Sequence, residues 1–196
     1  KKSEPATNPE RPVTVAAKAD PPAAPARRVP PSWPAGEGFQ ARTEPDRLVI
    51  AHSGKPVGEF VFRDPRILRP YFANLHTPES VPVTRTHPPV AGVDATDHDT
   101  MHPGLWLAFG SLGGVDFWRN QGRLEHVRFL TPPAAPGPGQ PLAFATEHQL
   151  QAPDGRLLGW LTNRMTLRSR PGVWEIEWDA TFWSGTEDLV FGDQEE

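Results

Sequence analysis

Apolar and polar residues alternate without interruption near the end of the chain. Between 174 and 182 the apolar positions are Trp174, Ile176, Trp178, Ala180 and Phe182. The polar positions between them are Glu175, Glu177, Asp179 and Thr181. Because successive side chains of a strand point to opposite faces, this period of two predicts a strand with one face in a core.

Two turn signals divide the region 142–184 into three extended segments. Pro153-Asp154-Gly155 and Arg170-Pro171-Gly172 both place proline and glycine where tight turns accept them. Proline presets φ at the second turn position, and glycine adopts the positive φ that a later position requires. Three extended segments joined by tight turns predict an antiparallel meander in a sheet sandwich.

Shorter apolar runs precede the meander. Leu48-Val49-Ile50 and the run 57–62 flank a Ser53-Gly54-Lys55 turn, and this pattern predicts a hairpin. No helical period longer than two turns is present, so the predicted fold class is all-β, an antiparallel β-sandwich over 36–196. Further strands are predicted over 67–75, 81–86, 104–109 and 124–130.

Composition separates the first residues from the rest of the chain. The 25 prolines and 17 glycines suit many short strands better than long helices. Proline and alanine dominate residues 1–35, and such a segment cannot bury enough apolar surface to fold, so we predict a disordered linker there. A linker of this kind often tethers an exported domain. We therefore expect a secreted or periplasmic protein, given either as a mature form without its signal peptide or as a fragment.

The last residues suggest that the domain continues. Residues 191–196 bring an apolar approach and an acidic run, but no closing strand. The aromatic side chains on the apolar face of the preceding strand need a covering layer. We therefore expect the N-terminal part of a larger β-sandwich domain, truncated at its C-terminus, with part of this face exposed.

Charge and cysteine content exclude several classes of function. The chain has no cysteine, which excludes disulfides, thiolate metal sites and cysteine nucleophiles. A net charge of -4 gives no support to nucleic-acid binding. No apolar run approaches the roughly 18–20 residues that span a bilayer. The expected partner is therefore a carbohydrate or another small-molecule ligand.

Residues that can carry chemistry are concentrated between 69 and 120. Most of them lie in or beside a loop over 87–104 that proline and glycine punctuate, and long loops in compact domains are usually functional or disordered. The apolar content that follows the loop argues against disorder. The cluster contains His76, His87, His98, His102, Asp94, Asp97, Asp99, Asp116, Arg69, Arg85, Arg119, Trp106 and Trp118.

This combination is typical of sugar recognition. An aromatic face packs against a sugar ring, while carboxylate, amide, guanidinium and imidazole groups hydrogen-bond its hydroxyls. An imidazole can serve as acid or base because it titrates near neutral pH. The predicted catalytic residues are His98, His102, Asp97 and Glu195, with Asp193 and Glu196 as further candidate carboxylates. The predicted substrate-binding residues are Arg69, Trp118, Arg119, Asn120 and Asp116, with Trp118 stacking on the ring.

Other readings of the same residues stay open. The His98–His102 spacing resembles a zinc-protease pair, but that motif needs a helix, and Pro103-Gly104 follows at once. A metal site on the loop could use His98, His102 and a carboxylate. The histidines could instead donate hydrogen bonds that pin the loop. Trp106 lies in a run that is apolar on both faces and fits a core position equally well.

Four motifs carry a resemblance to a known family. They are RPYF at 69–72, VPVTRTHPP at 81–89, DHDTMHPGLWLAFG at 97–110 and GVDFWRN at 114–120. Over residues 45–196 the chain resembles the DUF6807 family, which also carries the label methane oxygenase PmoA and is frequent in exported proteins of polysaccharide-degrading bacteria. Many members have a His pair followed by Arg before the Gly-Leu-Trp. This chain has Met101-His102-Pro103 there, while His98 and His102 match the family's histidine positions.

The resemblance carries two implications. Its strand-rich pattern is similar to large sandwiches of galactose-mutarotase type, whose concave sheets hold sugars, although a shared fold is a weak guide to function. Its terminal segment FGDQEE is one after which members continue through a further β-rich half. The label itself implies a copper membrane monooxygenase subunit, which the hydrophilic chain argues against.

Three hypotheses of function follow. The leading one is an exported carbohydrate-active protein that binds or processes a sugar by histidine and carboxylate acid–base chemistry, as a hydrolase, lyase or epimerase. The second is a non-catalytic carbohydrate-binding or cell-surface module. The third is a metal-dependent oxidoreductase, as the family label suggests. The sequence identifies no cofactor.

Overall fold

The computed structural model describes Trp33 and the ranges 36–134, 136–185 and 187–193. The linker predicted over 1–35 lies outside the described residues apart from Trp33. Within the described residues the secondary structure is eleven β-strands without a helix, which confirms the predicted all-β class. None of this described part therefore forms a helix long and apolar enough to cross a membrane.

Five of the described strands form a first sheet, in the order β1-β2-β3-β4-β5, with antiparallel neighbours. The predicted hairpin is confirmed, because β2 and β3 pair across a turn in which Ser53 and Gly54 have φ values of 49° and 79°. The bounds are Phe39–Thr43 for β1, Arg47–His52 for β2, Lys55–Val61 for β3, Tyr71–Ala73 for β4 and Leu105–Trp106 for β5.

Three strands predicted in this half are shorter than expected or missing. The run 67–75 contributes only β4, and the run 104–109 contributes only β5. The run 81–86 is not a strand and forms only an isolated bridge between His76 and Pro82. Prolines at 78, 82, 88 and 89 remove backbone N–H donors from this stretch, so it cannot sustain a ladder.

Four longer strands form a second sheet in the order β11-β10-β9-β8, and the predicted meander is confirmed. Gly155 and Gly172 have φ values of 84° and 76°, as the two turn signals require. A short hairpin of Ser111–Leu112 (β6) and Val115–Asp116 (β7) precedes this sheet. The bounds of its strands are Arg123–Thr131 for β8, Leu142–Gln151 for β9, Leu157–Arg170 for β10 and Val173–Trp183 for β11.

The two sheets pack face to face, as a sandwich requires. Phe60 of the first sheet and Phe144 of the second have ring centroids 5.2 Å apart, and both side chains are buried. Burying a side chain of this size contributes about 1.5–3 kcal/mol. Trp174, Ile176 and Trp178 pack half-buried against the same core, so the first sheet covers this part of the alternating strand.

A row of polar side chains crosses the inner face of the second sheet. It consists of Thr146, His148, Asn163 and His126, all buried, and the two histidines face each other across neighbouring strands. This polar row separates the main core from a second apolar cluster that the β6–β7 hairpin helps to cover. Members of that second cluster include Leu112, Val115, Phe117, Leu124, Leu150 and Leu161.

The outer faces of the two sheets differ. On the first sheet Val61, Tyr71 and Ala73 point outward, yet they are buried together with Ile67 of the preceding loop and with Trp106. Many outward side chains of β11 in the second sheet remain exposed. The long irregular segments of the chain therefore lie over the first sheet, and the candidate site lies among them.

Candidate functional site

Arg69, just before β4, binds three separate segments together. Its Nη1 donates to the carbonyl oxygens of Phe117 and Trp118, at 3.0 and 2.8 Å, and to Oδ1 of Asn120 at 3.2 Å. Its Nη2 donates to the carbonyl oxygen of Met101 at 2.7 Å. The side chain is only 5 % exposed. Arg69 was predicted to bind substrate, but its Nη donors serve the protein itself, so it supports the site from beneath.

The guanidinium of Arg69 also stacks on an indole. Its Cζ lies 3.7 Å from the ring centroid of Trp106, and a cation over an aromatic face is attracted to it. Burial lowers the pKa of Arg69 to about 10, and the negative charge of Asp116 acts against that shift. Trp106 is half-buried and is part of the site rather than of the sandwich core, which sequence reasoning left open.

Four rings form a continuous surface above Arg69, here called the imidazole–indole surface: His98, His102, Trp106 and Trp118. The ring centroids of Trp106 and Trp118 are 5.0 Å apart. The His102 centroid lies 6.2 Å from that of Trp106, 5.9 Å from that of Trp118 and 6.0 Å from that of His98. The structure thus brings together three of the predicted site residues, His98, His102 and Trp118.

His98 is paired with the predicted carboxylate beside it. Its Nδ1 lies 3.1 Å from Oδ2 of Asp97, and the hydrogen bond from the imidazole lowers the pKa of Asp97. Both side chains are well exposed. The φ of His98 is 49°, a left-handed conformation that few non-glycine residues adopt, and such strain is often found at functional positions.

Arg85 holds the loop that carries His98. Its Nε donates to the carbonyl oxygen of His102, and its Nη2 to that of His98, both at 2.9 Å. Its Nη1 donates to the carbonyl oxygens of Ala95 and Asp97, at 2.9 and 2.7 Å. Sequence reasoning gave Arg85 no specific role. One signal could have indicated its role. A loop without regular structure leaves backbone carbonyl groups that need hydrogen-bond donors from elsewhere, and a nearby arginine can supply several.

Asn120 and Asp116 also have partners within the protein. The side-chain amide of Asn120 accepts from the Leu68 N–H at 3.2 Å and donates to the Thr100 carbonyl oxygen at 2.9 Å. Its φ is 57°, so it is a second site residue in the left-handed region. The Asp116 carboxylate accepts from the backbone N–H and from Nη1 of Arg119, both at 3.0 Å. Asn120 and Asp116 were predicted to bind substrate, and in the structure they position the backbone and Arg119.

A cavity of about 280 Å³ has Trp118 in its wall. Arg119 and Asp193 contribute a guanidinium and a carboxylate to its wall. Trp118 is therefore shared between this cavity and the imidazole–indole surface. Glu195 and Glu196, the other candidate carboxylates, lie outside the described residues. The cavity is lined by Ala108, Phe109, Gly110, Trp118, Arg119, Gly192 and Asp193.

A cavity of similar size, about 300 Å³, lies between the segments 62–69 and 123–126. Of the predicted site residues its wall contains only Arg69. Its carboxylate Asp64 accepts from the hydroxyl of Tyr71 at 2.7 Å. Burial raises the pKa of Asp64, but hydrogen bonds from His87, Tyr71 and two backbone amides outweigh burial, so the pKa lies well below its usual range. Asp64 thus has a structural role.

A metal site on the histidine loop was an alternative use of His98 and His102. Within the described ranges, no group of three or more His, Asp or Glu side chains is arranged to hold a metal ion. These described residues therefore do not fit the metal centre that the label methane oxygenase would imply.

Comparison with known proteins adds one match. The model of a family described as "Family of unknown function (DUF6807)" matches residues 47–196. No curated protein and no solved structure matches the chain.

Proposed function

Because the chain belongs to the DUF6807 family of unknown function, its activity has to be inferred from its own residues, and we propose that it is a carbohydrate-active protein. The sugar would occupy the cavity beside Trp118. Because neither histidine lines that cavity, the sugar would extend over Trp118 to His102 and His98, the candidate proton donors or acceptors. The reaction class would be acid–base chemistry at a sugar carbon or a glycosidic bond.

One observation supports this proposal most strongly: Trp118 belongs both to a cavity and to the imidazole–indole surface. The cavity of about 280 Å³ that Trp118 lines also presents Arg119 and Asp193. The His102 ring centroid is 5.9 Å from that of Trp118. An indole beside a guanidinium and a carboxylate suits a ring with an apolar face and hydroxyl edges. The adjacent imidazole adds a group that can donate or accept a hydrogen bond.

Rigidity of the site is a second support. Arg69 binds the carbonyl oxygens of Trp118 and Met101, and thereby connects the indole to the histidine loop. Arg85 fixes the same loop through the carbonyl oxygens of His98 and His102. A site whose loops are already ordered loses less conformational entropy when a ligand binds.

The acid–base step would use His98 with Asp97. The carboxylate holds Nδ1 at 3.1 Å, and this fixes the orientation of the ring. Nε2 would then exchange a proton with the sugar, as in other catalytic pairs of a base and an orienting carboxylate. His102, next to His98, would act as the second proton-transfer group.

A non-catalytic carbohydrate-binding module is the second candidate. It is favoured by the 60 % exposure of the His98 side chain, because catalytic groups usually work in sites that exclude water. The same Trp118 surface would serve binding alone.

Export remains part of the proposal. The composition of residues 1–35, rich in proline and alanine, supports an extended tether of the kind found outside the cytoplasm. Fractionation of cells that express the native gene product tests it. We expect the protein in the periplasmic or extracellular fraction, and its retention with cytoplasmic markers would overturn this part.

Calorimetric titration with neutral mono- and oligosaccharides, followed by product analysis, tests the function. We expect at least one sugar to bind, and Trp118→Ala to weaken that binding about 10-fold or more, equivalent to about 1.4 kcal/mol. His76→Ala is the matched control for His98→Ala, because His76 lies outside the imidazole–indole surface and contacts the Asn74 carbonyl oxygen. If His98→Ala loses turnover and His76→Ala keeps it, the protein is an enzyme. Unchanged binding in Trp118→Ala, or no binding of any sugar, would refute the proposal.

A further inference from the structure

The outer face of the second sheet carries paired charges towards one end and two tryptophans towards the other. Near the turn between β10 and β11, Arg168 contacts Glu175 at 3.1 Å and Glu177 at 2.6 Å. Arg128 contacts Glu147 at 2.9 Å across neighbouring strands. These side chains neutralise one another, as is usual on a solvated sheet face.

Two tryptophans lie at the other end of this face. Trp160 of β10 and Trp183 of β11 are direct partners in the strand register. Their ring centroids are 4.3 Å apart with an interplanar angle of 10°, so the indoles stack. Trp183 lies on the edge strand β11 and is 42 % exposed despite the stacking. Trp160 and Trp183 are called the tryptophan pair below.

Amide and hydroxyl side chains lie beside the tryptophan pair. Gln149 is the partner of Trp160 on the neighbouring strand β9. Nε2 of Gln151 donates to Oε1 of Gln149 at 3.0 Å, which holds the two amides side by side. Thr162 and Thr181 face each other at the next outward position of the register.

Charged side chains lie next to these groups and are paired. On β8, Glu125 faces Gln149 and Arg123 faces Gln151, and the two charged side chains lie 3.5 Å apart. Glu147, which faces Thr162, contacts Arg128 at 2.9 Å.

We propose that the tryptophan pair and the amides of Gln149 and Gln151 form a second binding site, on the sheet face, for a neutral polysaccharide. The exposed indole offers an apolar face to a sugar ring, and the amides offer donors and acceptors to its hydroxyls. The charged side chains beside these groups are paired with one another, Arg123 with Glu125 and Glu147 with Arg128, and this pairing favours a neutral ligand over an acidic or basic one. This site is separate from the one at Trp118.

A stacked cross-strand pair also stabilises strand pairing, by roughly 0.2–1 kcal/mol. That role needs the contact between the two indoles. It does not need the exposure of Trp183 or the row of amides beside Trp160. The experiment therefore has to separate stability from ligand binding.

Affinity gel electrophoresis of the whole 196-residue chain makes that separation. The gels contain mixed-linkage β-glucan, galactomannan, arabinoxylan or, as an acidic comparator, polygalacturonate. We expect retardation by at least one neutral polymer and no retardation by polygalacturonate. Trp183→Ala should weaken retardation about 10-fold or more, and Trp183→Phe should weaken it less because a flat face remains. Val173→Ala, at the other exposed end of the same strand, is the matched control and should leave it unchanged.

Failure of this inference can be distinguished from failure of the proposed function. Trp118→Ala should retain retardation by the polymer, because Trp118 lies on the other sheet's loops. If Trp118→Ala abolishes retardation while Trp183→Ala does not, the polymer binds at the first site and the sheet-face site is refuted. Three other results would also refute the sheet-face site. Trp183→Ala and wild type could be retarded equally. No neutral polymer could retard the protein, or polygalacturonate alone could retard it. Thermal unfolding of each variant confirms that the compared proteins are folded.

Discussion

The two sheets of the sandwich present their outer faces in opposite ways. Loops rich in proline, glycine and charged side chains cover the outer face of the first sheet, and the imidazole–indole surface lies among these loops. The second sheet is a regular meander whose outer face is open to solvent. On the first sheet, Arg69 and Arg85 hold irregular backbone in place by donating hydrogen bonds to its carbonyl oxygens. On the second, strand pairing alone is sufficient, so side chains on its outer face can change at little cost.

The largest expected effect comes from Arg69, which holds the covered face together. Arg69→Ala removes four hydrogen bonds and the stack on Trp106, and it leaves buried carbonyl groups without donors. We expect a loss of about 3–5 kcal/mol in the free energy of unfolding, measured by urea denaturation. Arg69→Lys should recover only part of this loss, because an ammonium lacks the planar fork that reaches separate carbonyl oxygens. A loss below 1 kcal/mol for Arg69→Ala would show that the loops are held by other contacts.

The second sheet also differs from the first in its two buried histidines, His126 and His148, which make stability depend on pH. Burial lowers the pKa of His126 to about 4 and that of His148 to about 3, each with a further contribution from neighbouring positive charge. These folded-state values lie below the unfolded value of about 6.5, so the unfolded chain binds more protons at acidic pH. The contribution to stability is complete above about pH 6.5 and is lost as pH falls toward the folded values.

We therefore expect unfolding free energy to fall by up to about 1.4 kcal/mol per pH unit for each buried imidazole, and by roughly 3–4 kcal/mol in total between pH 7 and 5. Urea denaturation at several pH values measures it. His148→Leu should flatten this pH dependence. An identical slope in wild type and His148→Leu would contradict the assignment.

Arg85 should have a smaller and more local effect. Its donors bind carbonyl oxygens of the histidine loop in a partly solvated place, so Arg85→Ala should cost only about 1 kcal/mol globally. The local effect should be clear, since amides of Met101 and His102 that donate to the His98 carbonyl oxygen should exchange faster with deuterium. Arg66→Ala, which removes only the exposed contact with Asp99, is the control. Unchanged exchange in Arg85→Ala would show that the loop holds its own conformation.

The smallest effect is expected on the open face. Arg168 contacts two carboxylates, yet an exposed ion pair is usually worth less than 1 kcal/mol. Arg168→Ala should therefore change the free energy of unfolding by about 0.5 kcal/mol or less in the same urea experiment. A loss comparable to that of Arg69→Ala would remove the contrast between the two faces.

The same contrast explains what the sequence could predict. The meander was predicted correctly because its determinants are local: a period of two over 174–182, and glycine at the turns before Arg156 and Val173. The hairpin turn at Ser53-Gly54, where both residues have positive φ, is equally local. These signals need no information from distant parts of the chain.

The covered face depends on distant contacts, and here prediction was incomplete. The sequence identified His98, His102 and Trp118 as neighbours in one region, and their rings do form one surface. It did not reveal that Arg69 points inward, because an arginine in a loop can donate equally well to a ligand or to carbonyl groups 32 or more residues away. Strand lengths over 67–109 were overestimated for a related reason, since prolines and loop packing override short apolar runs.

Tryptophan side-chain NMR tests the central claim most directly. The seven tryptophans each give an indole N–H signal, which Trp→Phe variants can assign. During titration with the sugar that calorimetry identifies, we predict that the Trp118 signal shifts most, that Trp106 shifts less, and that Trp174 and Trp178 in the core do not move. A sugar that binds without shifting the Trp118 signal would contradict the assignment of the site.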